Sequence, residues 1–111
     1  MINMAIKPWG KYIILEKNKG YWIKKLFVSR GKKISLQSHQ DRSEIWSVLS
    51  GKIEAIKGKT SYFLETGEFI EINKKQKHRI IALKDSWILE VAFGKVREKD
   101  IVRYKDDYGR I

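Results

Sequence analysis

Short runs of β-branched and aromatic residues, cut at regular intervals by turn signals, dominate this chain and leave little room for other secondary structure. Residues 12–15, 21–29 and 45–49 are such runs, and 62–64, 69–72, 79–83 and 87–93 continue the series. Residues 52–57 alternate polar with apolar side chains, Ile53, Ala55 and Ile56 being the apolar members. Between the runs lie Asn18-Lys19-Gly20, Arg30-Gly31, Ser50-Gly51, Lys57-Gly58, Thr66-Gly67 and Lys84-Asp85. Many short strands at this spacing predict an all-β barrel or sandwich and argue against βαβ units. No long amphipathic helix is visible, and the helix-tolerant stretch 97–107 has room for one short helical turn. No repeat or low-complexity linker interrupts the pattern, so one domain over residues 1–111 is expected.

Composition narrows the partners. With no cysteine, neither disulfides nor thiolate metal ligands are available. No apolar run approaches a membrane span, and the N-terminus lacks the basic-then-apolar order of a signal peptide, so a cytoplasmic protein is expected. The formal net charge of +11 attracts polyanions and phosphorylated small molecules alike. Nucleic acid is disfavoured, because the lysines are spread along the chain without a reading motif. The one dense cluster, Lys74, Lys75 and Lys77, reads as a solvated turn. Trp9, Trp22, Trp46 and Trp87 fall on or beside strands, where filling the barrel is the expected role.

Only two histidines are present, and their surroundings carry the chemistry. Gln37 and His39 are two apart, so on an extended segment they point to the same side. Glu44 opens the next strand after a short turn, which can fold its carboxylate back towards them. Trp46, two further on, should share that inward side. His78 lies just before another strand, where a neighbouring hairpin would deliver a fourth ligand. Nitrogen and oxygen donors without thiolate suit a divalent transition metal: Zn, Mn, Co, Fe or Ni.

Residues 31–51 resemble the first cupin motif, in which a glycine is followed by His-x-His, a gap, Glu and a closing glycine. Residues 67–82 resemble the second, with a glycine, a hydrophobic strand, a turn and a ligand histidine. Within the cupins the chain is similar to type II mannose-6-phosphate isomerases. The blocks that carry this are Pro8-Trp9-Gly10-Lys11-Tyr12, Leu36-Gln37-Ser38-His39 with Arg42, Glu44 and Trp46, His78-Arg79-Ile80, and Asp100-Ile101-Val102-Arg103-Tyr104 with Asp107-Tyr108-Gly109-Arg110. The resemblance implies a small cupin, a double-stranded β-helix or jelly-roll barrel. It also implies metal ligands at Gln37, His39, Glu44 and His78, glutamine standing for the first cupin histidine, and a catalytic or substrate-orienting role for Arg42. The chain departs from the family at Gln40 and Asp41, where two further histidines are usual, and at Asn73-Lys74-Lys75, which replaces a Pro-x-Gly turn. It departs again at Ala82 and at Lys99.

The implied reaction is aldose–ketose isomerisation of mannose 6-phosphate through an enediolate. Such chemistry needs a divalent metal at the sugar oxygens, a base at the carbon-bound proton and a cation for the phosphate. Lys25, Lys33, Arg79 and Arg103 are the candidate phosphate anchors. Two other readings stay open: an isomerase or epimerase of another sugar phosphate or sugar nucleotide, and a non-catalytic cupin that binds a sugar or a protein. These isomerases usually follow a guanylyltransferase domain in one chain, so a separate guanylyltransferase chain is a candidate partner. A homodimer is also expected, formed along a strand containing Ile2, Met4, Ala5 and Ile6.

Overall fold

The polar–apolar alternation of the sequence folds into two facing antiparallel sheets. The computed structural model describes residues 3–110. In chain order the strands are β1 Asn3–Lys7, β2 Gly10–Lys17, β3 Tyr21–Val28, β4 Leu36–Ser38, β5 Arg42–Ser50, β6 Lys52–Lys57, β7 Thr60–Glu65, β8 Phe69–Ile72, β9 His78–Ala82, β10 Ser86–Gly94 and β11 Val102–Lys105. One sheet runs β1-β2-β3-β10-β5-β8 and the other β11-β4-β9-β6-β7. No described residue is helical.

Strict alternation turns every second residue of β3, β5 and β10 inward. Strand register then sorts those residues into rows across the first sheet. Leu26, Ile88 and Val48 form one row, Lys24, Glu90 and Trp46 the next, and Trp22, Ala92 and Glu44 a third. The interior therefore changes character along the strands. One half is an apolar core closed by Val48, Ile53, Ala55, Ile80 and Ile88, all at most 2% exposed. Burying the valine and isoleucine side chains contributes roughly 1.5–3 kcal/mol each. The other half collects charged groups. Ala92, the small residue between Trp22 and Glu44, limits crowding there.

Two expectations are corrected. The stretch 97–107 forms no helical turn; its Val102–Lys105 segment is β11, paired with β4. A single turn has too few bonds to repay helix nucleation, whereas the β4 edge offers ready partners. Trp87 does not fill the barrel: it lies on the outer face, its ring centroid 5.1 Å from that of Phe27. The N-terminal apolar residues pair within the chain, β1 against β2, with Met4 and Ile6 exposed at the sheet's outer strand. Ile2 lies outside the described residues.

Candidate metal centre

The polar half of the interior is built by both sheets. In the second sheet Arg103, Gln37 and His78 are cross-strand neighbours on β11, β4 and β9. They face Glu44 and Trp46 of β5, and His39, in the turn after β4, reaches between the sheets. His39, Glu44 and His78 are each at most 2% exposed, and their donor atoms lie within 4.8 Å of one another. The two Nε2 atoms are 3.1 Å apart, and His39 Nε2 is 3.4 Å from Glu44 Oε2. Donors at bonds of about 2.0–2.1 Å around one metal sit roughly 3.0–3.4 Å from each other, so the spacing fits a shared ion.

Proton placement strengthens this fit. His39 Nδ1 lies 2.6 Å from the carbonyl oxygen of Asp100, and His78 Nδ1 lies 2.8 Å from that of Gln76. A carbonyl only accepts, so each Nδ1 carries the proton and each Nε2 presents a lone pair. Two lone pairs facing each other at close range are what a cation between them would satisfy. Burial foremost, with the Arg42 charge beside them, lowers His39 to about 3 and His78 to about 4, so both rings are neutral at pH 7. Burial raises Glu44, against the pull of Arg42. Trp46 Nε1 donates to Glu44 Oε1 at 3.0 Å and Arg42 Nε donates to Oε2 at 2.9 Å. Trp46 thus shares the inward side of Glu44, as expected.

Gln37 and Arg42 complete the surroundings. The Gln37 side-chain oxygen accepts from Ser35 Oγ at 2.6 Å, and its nitrogen lies 3.4 Å from His39 Nε2. Its oxygen would face the cluster only after a half-turn of the amide. Arg42 is buried over the Trp22 ring and spends three of its N–H groups on Glu44 Oε2, the Arg97 carbonyl and His39 Nε2. Coordination through His39 requires the last of these bonds to break; the other two can persist.

Beside the cluster opens a cavity of about 90 Å³. Five cations line it, Lys7, Lys24, Arg42, Arg103 and Arg110, against two carboxylates, Glu90 and Glu98. Of the four candidate phosphate anchors, the structure brings only Arg103 here, and its Nε is buried without a partner. Lys25 points to the outer face, over Trp87 at 4.8 Å, because the alternation of β3 turns Lys24 inward instead. Lys33 pairs with Asp107 at 3.3 Å. Arg79 donates to the Ile34 carbonyl at 2.7 Å and also reaches Asp107, which fastens the C-terminal segment. The Lys74, Lys75 and Lys77 side chains are exposed on a turn, as read from the sequence.

Lys24 and Glu90 escape a reading by motif. Their signal is a charge at an inward position of an otherwise apolar alternation: Trp22-x-Lys24-x-Leu26 and Ile88-x-Glu90-x-Ala92. Lys24 Nζ is bound by Glu98 at 2.8 Å and sits 3.8 Å over Trp22. Glu90 is raised to about 6 by burial and then by the Glu44 charge, opposed by Lys24, Arg42 and His39. Asp100 is a further missed residue. Its carboxylate accepts from the backbone N–H groups of Gln40 and Asp41 at 2.8 and 2.9 Å while its carbonyl takes His39 Nδ1–H.

Comparisons with known proteins agree with this architecture. Among solved structures, KdgF from Halomonas sp. superposes with a TM-score of 0.78 at 17% identity, covering 89% of each chain. An RmlC-like cupin from Shewanella frigidimarina gives 0.77 at 19% identity, covering 89% of this chain and 86% of that one. The fold is thus a cupin jelly roll. In sequence, the chain is 33% identical over 110 residues to the xanthan biosynthesis protein XanB of Xanthomonas campestris pv. campestris, covering 94% of this chain and 23% of that protein. It is 36% identical over 111 residues to a mannose-1-phosphate guanylyltransferase of Salmonella montevideo, again covering 94% of this chain and 23% of that protein. The chain therefore spans about a quarter of the length of the curated relatives it matches. The family described as mannose-6-phosphate isomerase C-terminal matches residues 1–106, and the chain belongs to that family.

Proposed function

We propose that this protein is a metal-dependent sugar-phosphate isomerase that interconverts mannose 6-phosphate and fructose 6-phosphate. The observation that carries the reading is a buried His39–Glu44–His78 cluster beside a cation-rich cavity, in a chain of the mannose-6-phosphate isomerase C-terminal family. A divalent ion held there by His39, Glu44 and His78, with Gln37 oxygen as fourth donor after its amide turns, would supply Lewis-acid stabilisation of negative charge on the sugar oxygens.

The residues around it divide the remaining work. Arg103 is the phosphate anchor of choice, since its guanidinium enters the cavity with an unsatisfied Nε–H. Lys7 and Arg110 line the same cavity and add positive charge, although Arg110 also holds Asp106 at 2.7 Å. Arg42, held by Glu44 and the Arg97 carbonyl once His39 turns to the ion, keeps three N–H groups for the sugar oxygens and cannot lose its charge. Its anchorage also orients Glu44. Trp22 and Trp46 wall the site and exclude water.

The partner expectations follow as part of the same reading. Two copies can pair along β1, the outer strand that exposes Met4 and Ile6. The mannose-1-phosphate guanylyltransferase relatives favour a guanylyltransferase as a second partner. A sugar-binding cupin without turnover is the alternative, favoured by Gln40 and Asp41 where the family carries histidines.

The test is to load the purified protein with Zn, Mn, Co, Fe or Ni and follow conversion of mannose 6-phosphate. Turnover with at least one metal is expected, and its absence with every metal, despite tight binding of both, would refute the isomerase. His78→Ala should lower metal affinity by more than about 100-fold, since losing a ligand costs more than losing an outer partner. Unchanged metal content would remove His78 from the ligand set.

A further inference from the structure

Glu90 sits at the middle of β10, turned inward by the alternation that places Ile88 and Ala92 beside it. Register sets it opposite Lys24 on one side and Trp46 on the other, and it lines the cavity together with Gln37, Arg42 and Arg103. A carboxylate so deeply buried normally collects several donors. This one has a single neutral donor, Trp22 Nε1 at 3.1 Å from Oε2. Among the described residues, no group donates a hydrogen bond to its Oε1.

The other acids around the site are already engaged. Glu44 is held by Arg42 and Trp46 and belongs to the ligand cluster. Glu98 is bound by Lys24, Asp100 by two backbone N–H groups, and Asp106 by Arg110. Two of the nearby cations are committed too, Lys24 to Glu98 and Arg42 to Glu44, His39 and the Arg97 carbonyl, while Arg103 lines the same cavity with its Nε unpartnered. A carboxylate oxygen left free on the wall of a site built for an anionic sugar is poorly explained by folding alone.

We propose that Glu90 is the catalytic base, its Oε1 carrying the proton between the two carbons of the sugar phosphate. The assignment rests on the isomerase reading. In the aldose-to-ketose direction the C2–H bond breaks and its proton passes to Oε1. The released pair forms the C1–C2 double bond of the enediolate as the C1 carbonyl pair moves onto O1. Glu90 then returns the proton to C1, while O2 loses its proton to become the carbonyl and O1 gains one. Atoms and electrons balance within the sugar, so no oxidant or reductant is required. Trp22 Nε1 fixes the far oxygen, which leaves Oε1 aimed at the substrate.

The experiment incubates metal-loaded protein with mannose 6-phosphate in deuterated water and follows carbon-bound hydrogen by NMR. Wild type should place deuterium at C2 of the aldose or C1 of the ketose. Glu90→Gln keeps the shape and a Trp22 acceptor. It should retain metal content and mannose 6-phosphate affinity while exchange and conversion fall by about 10³-fold, the order expected for losing a positioned base. Glu90→Asp, which keeps the charge but withdraws it by one methylene, should lie between; it stands as the test if Glu90→Gln does not fold. Exchange at the wild-type rate in either variant overturns the base assignment and leaves the isomerase reading intact. So does conversion with no deuterium incorporated that proceeds undiminished in Glu90→Gln, which would indicate direct hydride transfer. Sugar phosphate bound by wild type with neither exchange nor conversion overturns both.

Discussion

At the scale of single residues, the site depends as much on what holds the histidines as on the histidines. Asp100 serves His39 twice: its carbonyl fixes the ring tautomer, and its carboxylate holds the backbone of Gln40 and Asp41 just beyond. Asp100→Ala should free that turn and let the ring rotate, lowering metal affinity by about 10–100-fold, as other losses of an outer partner do. Isothermal titration with Zn or Mn would read this, and an unchanged affinity would show that the turn holds itself. Gln37, His39 and Glu44 were legible together because their spacing is set by local geometry, two residues along an extended segment or one short turn, whereas His78, 39 residues beyond His39, was drawn in by the order of the family's motifs. Lys24 was not. Choosing between Lys24 and Lys25 needs the register of β3, and a shift of one residue moves a side chain from the cavity to the outer face.

At the scale of elements, strands with their own alternation were readable and strands defined by their partners were not. β6 and β8 begin and end where their patterns do. β4 and β11 are only 3 and 4 residues long, and they form because they pair with each other, with β9 on the far side of β4. The turn before β9 shows the cost of one departure from the family. Lys75 takes a φ of 66° where the family turn has glycine, and its N–H donates to the His39 carbonyl. A Cβ in this left-handed region costs roughly 1–2 kcal/mol, partly offset by the lower chain entropy of a non-glycine residue. Lys75→Gly is therefore expected to stabilise the protein by about 0.5–1 kcal/mol, read as a raised urea midpoint at unchanged slope. A lowered midpoint would mean that the lysine side chain makes up for the strain.

For the whole molecule, charge and burial set how stability responds to acid. The unfolded chain binds protons at its histidines near pH 6.5, while folded His39 and His78 refuse them until about 3 and 4. Stability rises with pH wherever the unfolded state holds more protons, so the metal-free protein should lose stability as pH falls below 6.5. Glu90 acts in the opposite sense. Raised from 4.5 to about 6, it keeps a proton in the folded state that the unfolded chain releases, and so offsets part of the loss between those values. Glu44, also raised, adds to the offset. Melting curves from pH 7 to 4 should show the decline, and Glu90→Gln should make it steeper between 6 and 4.5. A profile that stays flat through this range even in Glu90→Gln would show that the histidines are not buried as neutral groups. Part of the basic excess lies in the cavity, with five cations against two carboxylates, and part on the outer face, where Lys11 and Lys25 lie over Trp87.

The sequence by itself determined the all-β class, most strand positions, the spacing of Gln37, His39 and Glu44, and, through the order of its motifs, the family resemblance that also drew in His78. These follow from alternation, turn chemistry and motif order, which act over a few residues at a time. Tertiary structure decided which charges face the cavity, that Val102–Lys105 is a strand, and that Glu90 and Asp100 stand around the histidine cluster. Each of these depends on which strand lies beside which and in what register, and hydrogen bonds between residues about 60 apart, such as His39 to Asp100, leave no local trace in the chain.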